Sequence, residues 1–267
     1  MTWIGRALSA IAAAPDALLR VDAAVGEGAS APDLAEHSFA LIDERLRIAR
    51  ATYYYDGERG AYVGASVASL ATELGVAAPD ELARPLEDAC VLQHVIGIDA
   101  GPPLRLKRYM VFRAPPGAYV ASRLEALGVS APDGLDLDDA VILGVDLGAG
   151  GVHDVKIYVQ LDPERTAAYV RRDPTLRAVL RETREVVLGQ RLLKKAPRTL
   201  YFHADGPRAL RTFLSERAER DPGAAAALAH LRALDARHPI DPWILGVPFT
   251  ERGVDPRGMQ VYVHPRE

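Results

Sequence analysis

Basic residues and tyrosines recur at alternate positions in this chain, in Arg105-Leu106-Lys107-Arg108-Tyr109, Val155-Lys156-Ile157-Tyr158, Thr199-Leu200-Tyr201 and Gln260-Val261-Tyr262-Val263-His264. Alternate side chains of an extended strand point to opposite faces. One face of these segments therefore carries Arg105, Lys107, Tyr109, Lys156, Tyr158, Gln160, Thr199, Tyr201, His203, Gln260, Tyr262 and His264. The other carries Leu104, Leu106, Met110, Val155, Ile157, Val159, Leu200, Phe202, Met259, Val261 and Val263, with Arg108 as its one exception. Cations beside phenolic hydroxyls suit an anion, since the cations neutralise it and the hydroxyls donate to its oxygens. Aromatic rings also attract a cation, by roughly 0.5 to 2 kcal/mol each.

The elements that must hold these residues can be read around them. About a dozen residues before each tyrosine lies a short string ending in glycine: Val95-Ile96-Gly97, Ile142-Leu143-Gly144, Val187-Leu188-Gly189 and Ile244-Leu245-Gly246. Turn formers separate string from tyrosine in Ala100-Gly101-Pro102-Pro103, Gly148-Ala149-Gly150-Gly151 and Asp255-Pro256-Arg257-Gly258, with a less marked turn over 194–197. Each unit therefore reads as a hairpin. Asp162-Pro163, Asp173-Pro174 and Asp221-Pro222 place a capping carboxylate before a first-turn proline. They predict helices over 164–171, 175–184 and 223–236, and further helices are expected over 66–74, 81–92, 118–127 and 207–218.

The repeating unit is helix, helix, strand, strand, with the tyrosines about 50, 43 and 61 residues apart. A fifth unit is expected near the N-terminus, with a hairpin over 51–63 turning at Asp56-Gly57. The unit boundaries fall near 1–65, 66–112, 113–161, 162–204 and 205–267, all in one domain. Hairpins of one polarity remove their free edges by closing into a ring. The expected fold is α+β: ααββ units forming a closed antiparallel barrel of about ten strands, ringed by helices, with a polar lumen.

Bulk composition narrows the function classes. A net charge of −4 and 49% hydrophobic residues give no global reason to expect nucleic acid or an anionic membrane as partner. Any anion site must be local. Cys90 is the only cysteine, so an intramolecular disulfide and a thiolate zinc cluster are excluded, and Cys90 reads as a buried bystander. The seven histidines show no metal-ligand spacing. No apolar run approaches the ~20 residues needed to span a bilayer. Residues 1–14 fit one face of an amphipathic helix, and the chain is expected to be cytoplasmic and monomeric.

The chain resembles the aromatic prenyltransferases of the ABBA fold. The resemblance rests on Arg105-x-Lys107-x-Tyr109, Lys156-x-Tyr158 and Gln260-x-Tyr262, supported by Gly144-Val145-Asp146 leading through a turn to Val155-Lys156-Ile157-Tyr158-Val159. It covers residues 93 to 264, and the earlier part by repeat counting. It implies that Arg105, Lys107 and Lys156 bind the diphosphate of dimethylallyl or a longer prenyl diphosphate. Arg191 would stand in where the unit of Tyr201 lacks a lysine. By the same resemblance Tyr109, Tyr158, Tyr201 and Tyr262 shield the allylic cation, Gln260 assists at diphosphate or acceptor, and His264 lies on the same substrate-facing side. The acceptor would be an aromatic small molecule or peptide. No cofactor is implied as required, with magnesium as the one ion that could assist. Some members carry a base on the first hairpin; Asp43, Glu44 and Glu58 stay open for that role.

Rival readings of the same residues are weaker. A non-catalytic barrel binding a small anionic or aromatic ligand keeps the architecture without the chemistry. Gly144 to Gly151 is similar to the first phosphate loop of actin-like kinases, but no second phosphate loop accompanies it. Asp136, Asp138 and Asp139 read as a turn or helix cap rather than a metal-diphosphate site. Arg108, Arg113, Arg171 and Arg172 read as solvated surface, and the inward glycines as room for flat substrates.

Overall fold

The computed structural model describes residues 16–25, 34–42, 45–79, 82, 90–99, 105–113, 115–172, 176–250, 253–255 and 258–266. Ten strands form the wall: β1 (Leu34–Ile42), β2 (Arg45–Asp56), β3 (Val91–Asp99), β4 (Arg105–Phe112), β5 (Ala140–Gly148), β6 (Gly151–Gln160), β7 (Thr183–Arg191), β8 (Arg198–Ala204), β9 (Ile240–Thr250) and β11 (Gln260–Pro265). Every neighbouring pair is antiparallel, and β9 bonds to both β8 and β11 while β11 bonds to β1. The sheet is therefore a closed barrel. The two-residue β10 (Gly253–Val254) is an appendage folded back on β9.

Helices stand outside this wall in chain order, the first before the β1–β2 hairpin and the others between hairpins. They are α1 (Asp16–Val25), α2 (Gly60–Glu73), α3 (Gly117–Ala126), α4 (Pro163–Arg172), α5 (Leu176–Leu180), α6 (Pro207–Ala218) and α7 (Pro222–Asp235). The Asp-Pro signals work as read at two of them. Asp162 accepts from Arg165 N at the start of α4, and Asp221 accepts from Gly223 N and Ala224 N at the start of α7. At the third, helix α5 is only five residues long, because the chain is already in β7 at Thr183. The β-branched, strand-paired Val186 and Val187 of β7 belong to the wall.

The first unit is built differently from its expectation. Asp56-Gly57 does not turn a hairpin; it ends β2 and opens a short 3-10 turn, with Asp56 accepting from Glu58 N, that leads straight into α2. The hairpin is instead β1–β2, one strand earlier. The helix expected over 81–92 falls mostly on residues outside the described set, and Leu92 lies in β3. The amphipathic stretch 1–14 and the turn residues 100–104 also lie outside it. The Gly148–Gly151 string is a two-residue hairpin whose Gly151 sits at φ +101°, the left-handed region that favours glycine. Asp136 caps a 3-10 turn, Asp138 accepts from Gly117 N, and Asp139 pairs with Arg165.

Alternation sorts the strand residues into two cores. Outward-facing Leu106, Met110, Ile157, Leu200, Phe202, Val261 and Val263 are buried between wall and helices. Burial of such side chains contributes about 1.5 to 3 kcal/mol each. Arg108 corrects the sequence reading: it lies on this outward face of β4, which is covered by helix rather than washed by solvent, and is fully buried. Its guanidinium is held below its ordinary range, at about 10, chiefly by burial. Arg113 and Arg171 are exposed as expected, and Cys90 is half-buried against the cluster under α3. No described helix is long and apolar enough to cross a membrane.

Candidate active site

The barrel register arranges the lumen in layers. Going round the ring, Ser38 faces Arg50, Gly97 faces Lys107, Gly144 faces Lys156, Gly189 faces Thr199 and Gly246 faces Gln260 within the hairpins. Between hairpins Thr52 faces Gly97, Tyr109 faces Gly144, Tyr158 faces Gly189, Tyr201 faces Gly246 and Tyr262 faces Ser38. The chain thus repeats one register around a closed circle. One layer holds Arg50, Lys107, Lys156, Thr199 and Gln260; the next holds Thr52, Tyr109, Tyr158, Tyr201 and Tyr262. Cations fill three contiguous units, and neutral amide and hydroxyl complete the circle.

The glycines of these strings seat the tyrosines. A Cβ on Gly144 would stand 2.5 Å from the Tyr109 ring, and on Gly189 or Gly246 2.8 Å from the Tyr201 ring. The space read as room for flat substrates is filled by phenol rings packed across the ladder. The rings form a belt, with centroid separations of 6.3 Å for Tyr109–Tyr158, 5.5 Å for Tyr158–Tyr201 and 6.2 Å for Tyr201–Tyr262. Tyr262 and Tyr201 both donate to Gln260 Oε1, at 3.0 and 3.5 Å. Burial raises all four hydroxyls' pKa, that of Tyr109 to about 12, so they stay protonated donors.

Below the belt is a cavity of about 430 Å³ walled by Arg50, Arg105, Lys107, Lys156 and Arg191. Three carboxylates hold four of these cations, Arg50, Lys107, Lys156 and Arg191, in place. Arg50 donates to both oxygens of Asp99, Lys107 Nζ lies 3.1 Å from Asp99 and 2.7 Å from Asp146, Lys156 Nζ lies 2.8 Å from Asp146, and Arg191 pairs with Asp154. Asp99 is held down at about 2, against the upward effect of burial, by Arg50 and Lys107. Asp146 is held well below the carboxylate range, with Lys107 and Lys156 overcoming its burial. Lys107 is held up, because its two carboxylates overcome burial. Lys156, with a half share in Asp146, is pushed down by burial and by the Lys107 charge. Five basic side chains against the four carboxylates Asp99, Asp146, Asp154 and Asp255 leave this chamber a formal excess of one positive charge.

Above the belt a second cavity of about 470 Å³ is apolar, walled by Val95, Val111, Ile142, Val187 and Ile244. Position for position, the layer containing Val95, Ile142, Val187 and Ile244 has Glu36 as its fifth member. Glu36 is 1% exposed. Its Oε1 accepts from the Tyr54 hydroxyl at 2.7 Å and its Oε2 from the Trp243 indole N–H at 3.0 Å. Burial pushes Glu36 up to about 7, against its hydrogen bonds with Tyr54, Trp243 and Thr52 and the Arg50 charge, all of which favour its charged form. Trp243 points inward because the β9–β11 ladder shifts register between Tyr262 and Val263, leaving it as the extra residue of a bulge. Its indole packs edge-on to His203 and His264, at 6.1 and 5.7 Å.

The sequence-selected residues thus fall at different depths. Arg105, Lys107, Lys156, Arg191 and Gln260 line the lower chamber, and the four tyrosines form the belt. His264 stands at the upper end beside Trp243, its Nδ1 2.8 Å from the Pro265 carbonyl and away from the cations. Among the carboxylates left open, Glu58 is exposed on the turn after β2, and Asp43 and Glu44 lie outside the described residues. Glu36, Arg50, Asp99 and Asp146 were not singled out by sequence. Asp99 and Asp146 stand two residues after Gly97 and Gly144, so the strand alternation carries their signal. Arg50 and Glu36 belong to the one hairpin whose motif is Ser38, Arg50 and Thr52 in place of glycine, lysine and tyrosine. Among the described residues no group of three or more His, Cys, Asp or Glu side chains is placed to hold a metal.

No family model matches this chain, and no curated protein matches it. Solved structures do. PriB in a binary complex with product diphosphate superposes with a TM-score of 0.68 at 18% identity, over 99% of this chain and 97% of that one. A 5-dimethylallyl tryptophan synthase from Streptomyces coelicolor, in complex with DMASPP and Trp, gives 0.70 at 15% identity, over 98% and 92%. NotF in complex with brevianamide F and DMSPP gives 0.54 at 13% identity, over 87% and 80%. At these identities the likeness establishes the fold, and this barrel of ten strands ringed by helices is the ABBA fold of aromatic prenyltransferases.

Proposed function

We propose that the chain transfers a prenyl group from its diphosphate to an aromatic acceptor. The observation that carries this reading is the order of the layers: cations, then a belt of phenols, then a mainly apolar chamber with one fully buried carboxylate, Glu36. That order matches the charge that moves in the reaction. The C–O bond of the allylic diphosphate breaks, and its electron pair leaves with the diphosphate into the lower chamber. Lys107, Lys156, Arg50, Arg105 and Arg191 meet a charge that grows in the transition state, so they act on the barrier and not only on binding. Asp99 and Asp146 hold the ammonium groups aimed inward before the ligand arrives.

The allylic cation then lies against the tyrosine belt, whose rings favour positive charge and keep water away. An aromatic carbon or heteroatom of the acceptor, seated among the valines and isoleucines, bonds to the allylic carbon and loses its proton to Glu36. A base whose pKa lies near 7 takes that proton efficiently at neutral pH. The solved structures of the same fold that hold DMASPP and Trp support an indole or similar acceptor. No metal is required in this reading, because the cations neutralise the diphosphate; any assisting magnesium would arrive on the diphosphate itself.

Incubation with prenyl diphosphates and a panel of indoles, phenols and aromatic peptides tests the proposal by mass spectrometry. Diphosphate release with a mass gain of one prenyl group is expected. A Lys156→Ala variant should stay folded and lose turnover. Tight binding of a prenyl thiodiphosphate by a wild-type protein that transfers nothing would instead make the barrel a ligand carrier.

A further inference from the structure

We infer that the rim of the lower chamber carries a second phosphate site, built by Arg105, Lys194 and His153 outside the Lys107–Lys156 layer, where a diphosphate docks on its way in and out. This goes beyond the prenyl-transfer reading. It adds a stopping place outside the site of reaction, and it can be measured without turnover.

The strand ends bring these residues together. Arg105 opens β4 and Arg191 closes β7, so both stand where the wall meets the lower mouth. Lys194 follows in the turn to β8, whose Ala196 and Pro197 line the same chamber. His153 stands on β6 beside the Gly148–Gly151 turn, and Lys194 Nζ donates to its Nε2. Burial, then the Arg105 and Lys194 charges, hold His153 below its ordinary value. Burial, then Arg191 and Arg105, do the same to Lys194. Asp146 and Asp154 act the other way on both groups, and more weakly.

The inner cations are compensated differently. Arg50, Lys107, Lys156 and Arg191 each have a carboxylate partner. Among the described residues Arg105 and Lys194 have none. Arg105 Nε is also closed to solvent and has no hydrogen-bond partner among the described residues. Like charges repel, so exposed basic side chains ordinarily spread into water. Basic groups crowded together with no carboxylate of their own are stabilised by an anion. A phosphate offers oxygens enough to accept from guanidinium, ammonium and imidazole at once. Arg105 and Arg191 line the chamber as well, and Arg191 faces Lys156 across the β6–β7 ladder. Cations therefore run without a break from the rim to the inner layer.

Inorganic diphosphate titrated into the full chain in a calorimeter tests this. Wild type should bind it in two phases, a tighter one at the inner layer and a weaker one at the rim. Lys194→Ala should weaken the second phase at least about tenfold and leave the first within about threefold of wild type. His153→Gln should weaken the second phase by a smaller factor. Lys156→Ala should do the reverse, weakening the first phase and sparing the second. In stopped flow, association of dimethylallyl thiodiphosphate should slow about threefold or more in Lys194→Ala. Lys194 and His153 are both partly exposed, so their replacement leaves the cores intact. A single phase in wild type, or two phases both unchanged in Lys194→Ala, overturns the inference. Two phases in a protein that transfers nothing defeat the enzyme reading alone, and a single phase in a protein that transfers prenyl groups defeats this inference alone.

Discussion

The two chambers of the barrel treat ionisable groups in opposite ways. Below the belt Asp99 and Asp146 are each shared between two cations, and both are held far on the ionised side although both are buried. Above it Glu36 has hydrogen bonds but, among the described residues, no salt-bridge partner, and burial outweighs those bonds and the more distant Arg50 charge, raising it to about 7. One wall of repeated hairpins thus fixes charge at one depth and leaves it adjustable at another. The difference comes from the layer each residue occupies, since the strands themselves are continuous through both. A leaving group needs permanent countercharge. A proton acceptor needs a pKa near the working pH.

The sharpest way to break this contrast is to remove the upper carboxylate alone. Glu36→Gln should lower transfer by about 10² to 10⁴-fold, while prenyl thiodiphosphate affinity stays near wild type. Wild-type transfer should rise with pH through about 7 as Glu36 ionises, and this limb should vanish in the variant. Stability carries the same sign. Because the folded pKa lies above the ordinary carboxylate value, the fold loses stability as pH rises from about 4.5 to 7, by up to about 3 kcal/mol. Urea melts of wild type and variant at pH 5 and pH 8 measure it; a stability gap that does not change with pH would remove the burial argument.

Removing a cation below the belt should act first on the fold. Lys107 is 1% exposed and bridges two carboxylates, so Lys107→Ala leaves both with less compensation. A loss of about 3 to 5 kcal/mol is expected in denaturant melts, together with weakened diphosphate binding. The partition between the chambers is next. In Gly144→Ala the new Cβ meets the Tyr109 ring at 2.5 Å, and displacing that ring should cost about 1 to 3 kcal/mol. The smallest effect is expected at Trp243→Phe, which takes one donor from Glu36. The pH at which transfer half-rises should move upward by about one unit or less, with little change in donor affinity. A downward move would mean that Trp243 does not stabilise the charged form.

Much of this was legible in the chain because the period of two is strict on β4, β6, β8 and β11. Tyr109, Tyr158, Tyr201 and Tyr262 repeat in phase with Gly97, Gly144, Gly189 and Gly246, which is enough to infer one sheet of one polarity. What stayed hidden has particular causes. The first hairpin carries Ser38, Arg50 and Thr52 at the equivalent positions, so a search for glycine, lysine and tyrosine passes over it. Its expected position was set by Asp56-Gly57, a good turn pair that here starts a helix. Glu36 becomes conspicuous only once its layer mates are known to be Val95, Ile142, Val187 and Ile244. Trp243 is out of phase because a bulge inserts it, and alternation alone assigns it to the wrong face. Arg108 misled for another reason: polarity suggested solvent, whereas helices cover that side of the wall.

The pairing of β11 with β1 has a consequence for how this molecule is made. Ser38 and Tyr262 meet across that seam, so the circle is joined by residues far apart along the polypeptide. Such distant contacts form late and slowly. Until β11 docks, β1 and β9 each present a raw edge, the kind of template on which chains stack into aggregates. Assembly is therefore all or nothing: a truncation before Gln260 should yield a sticky open sheet rather than a smaller working vessel.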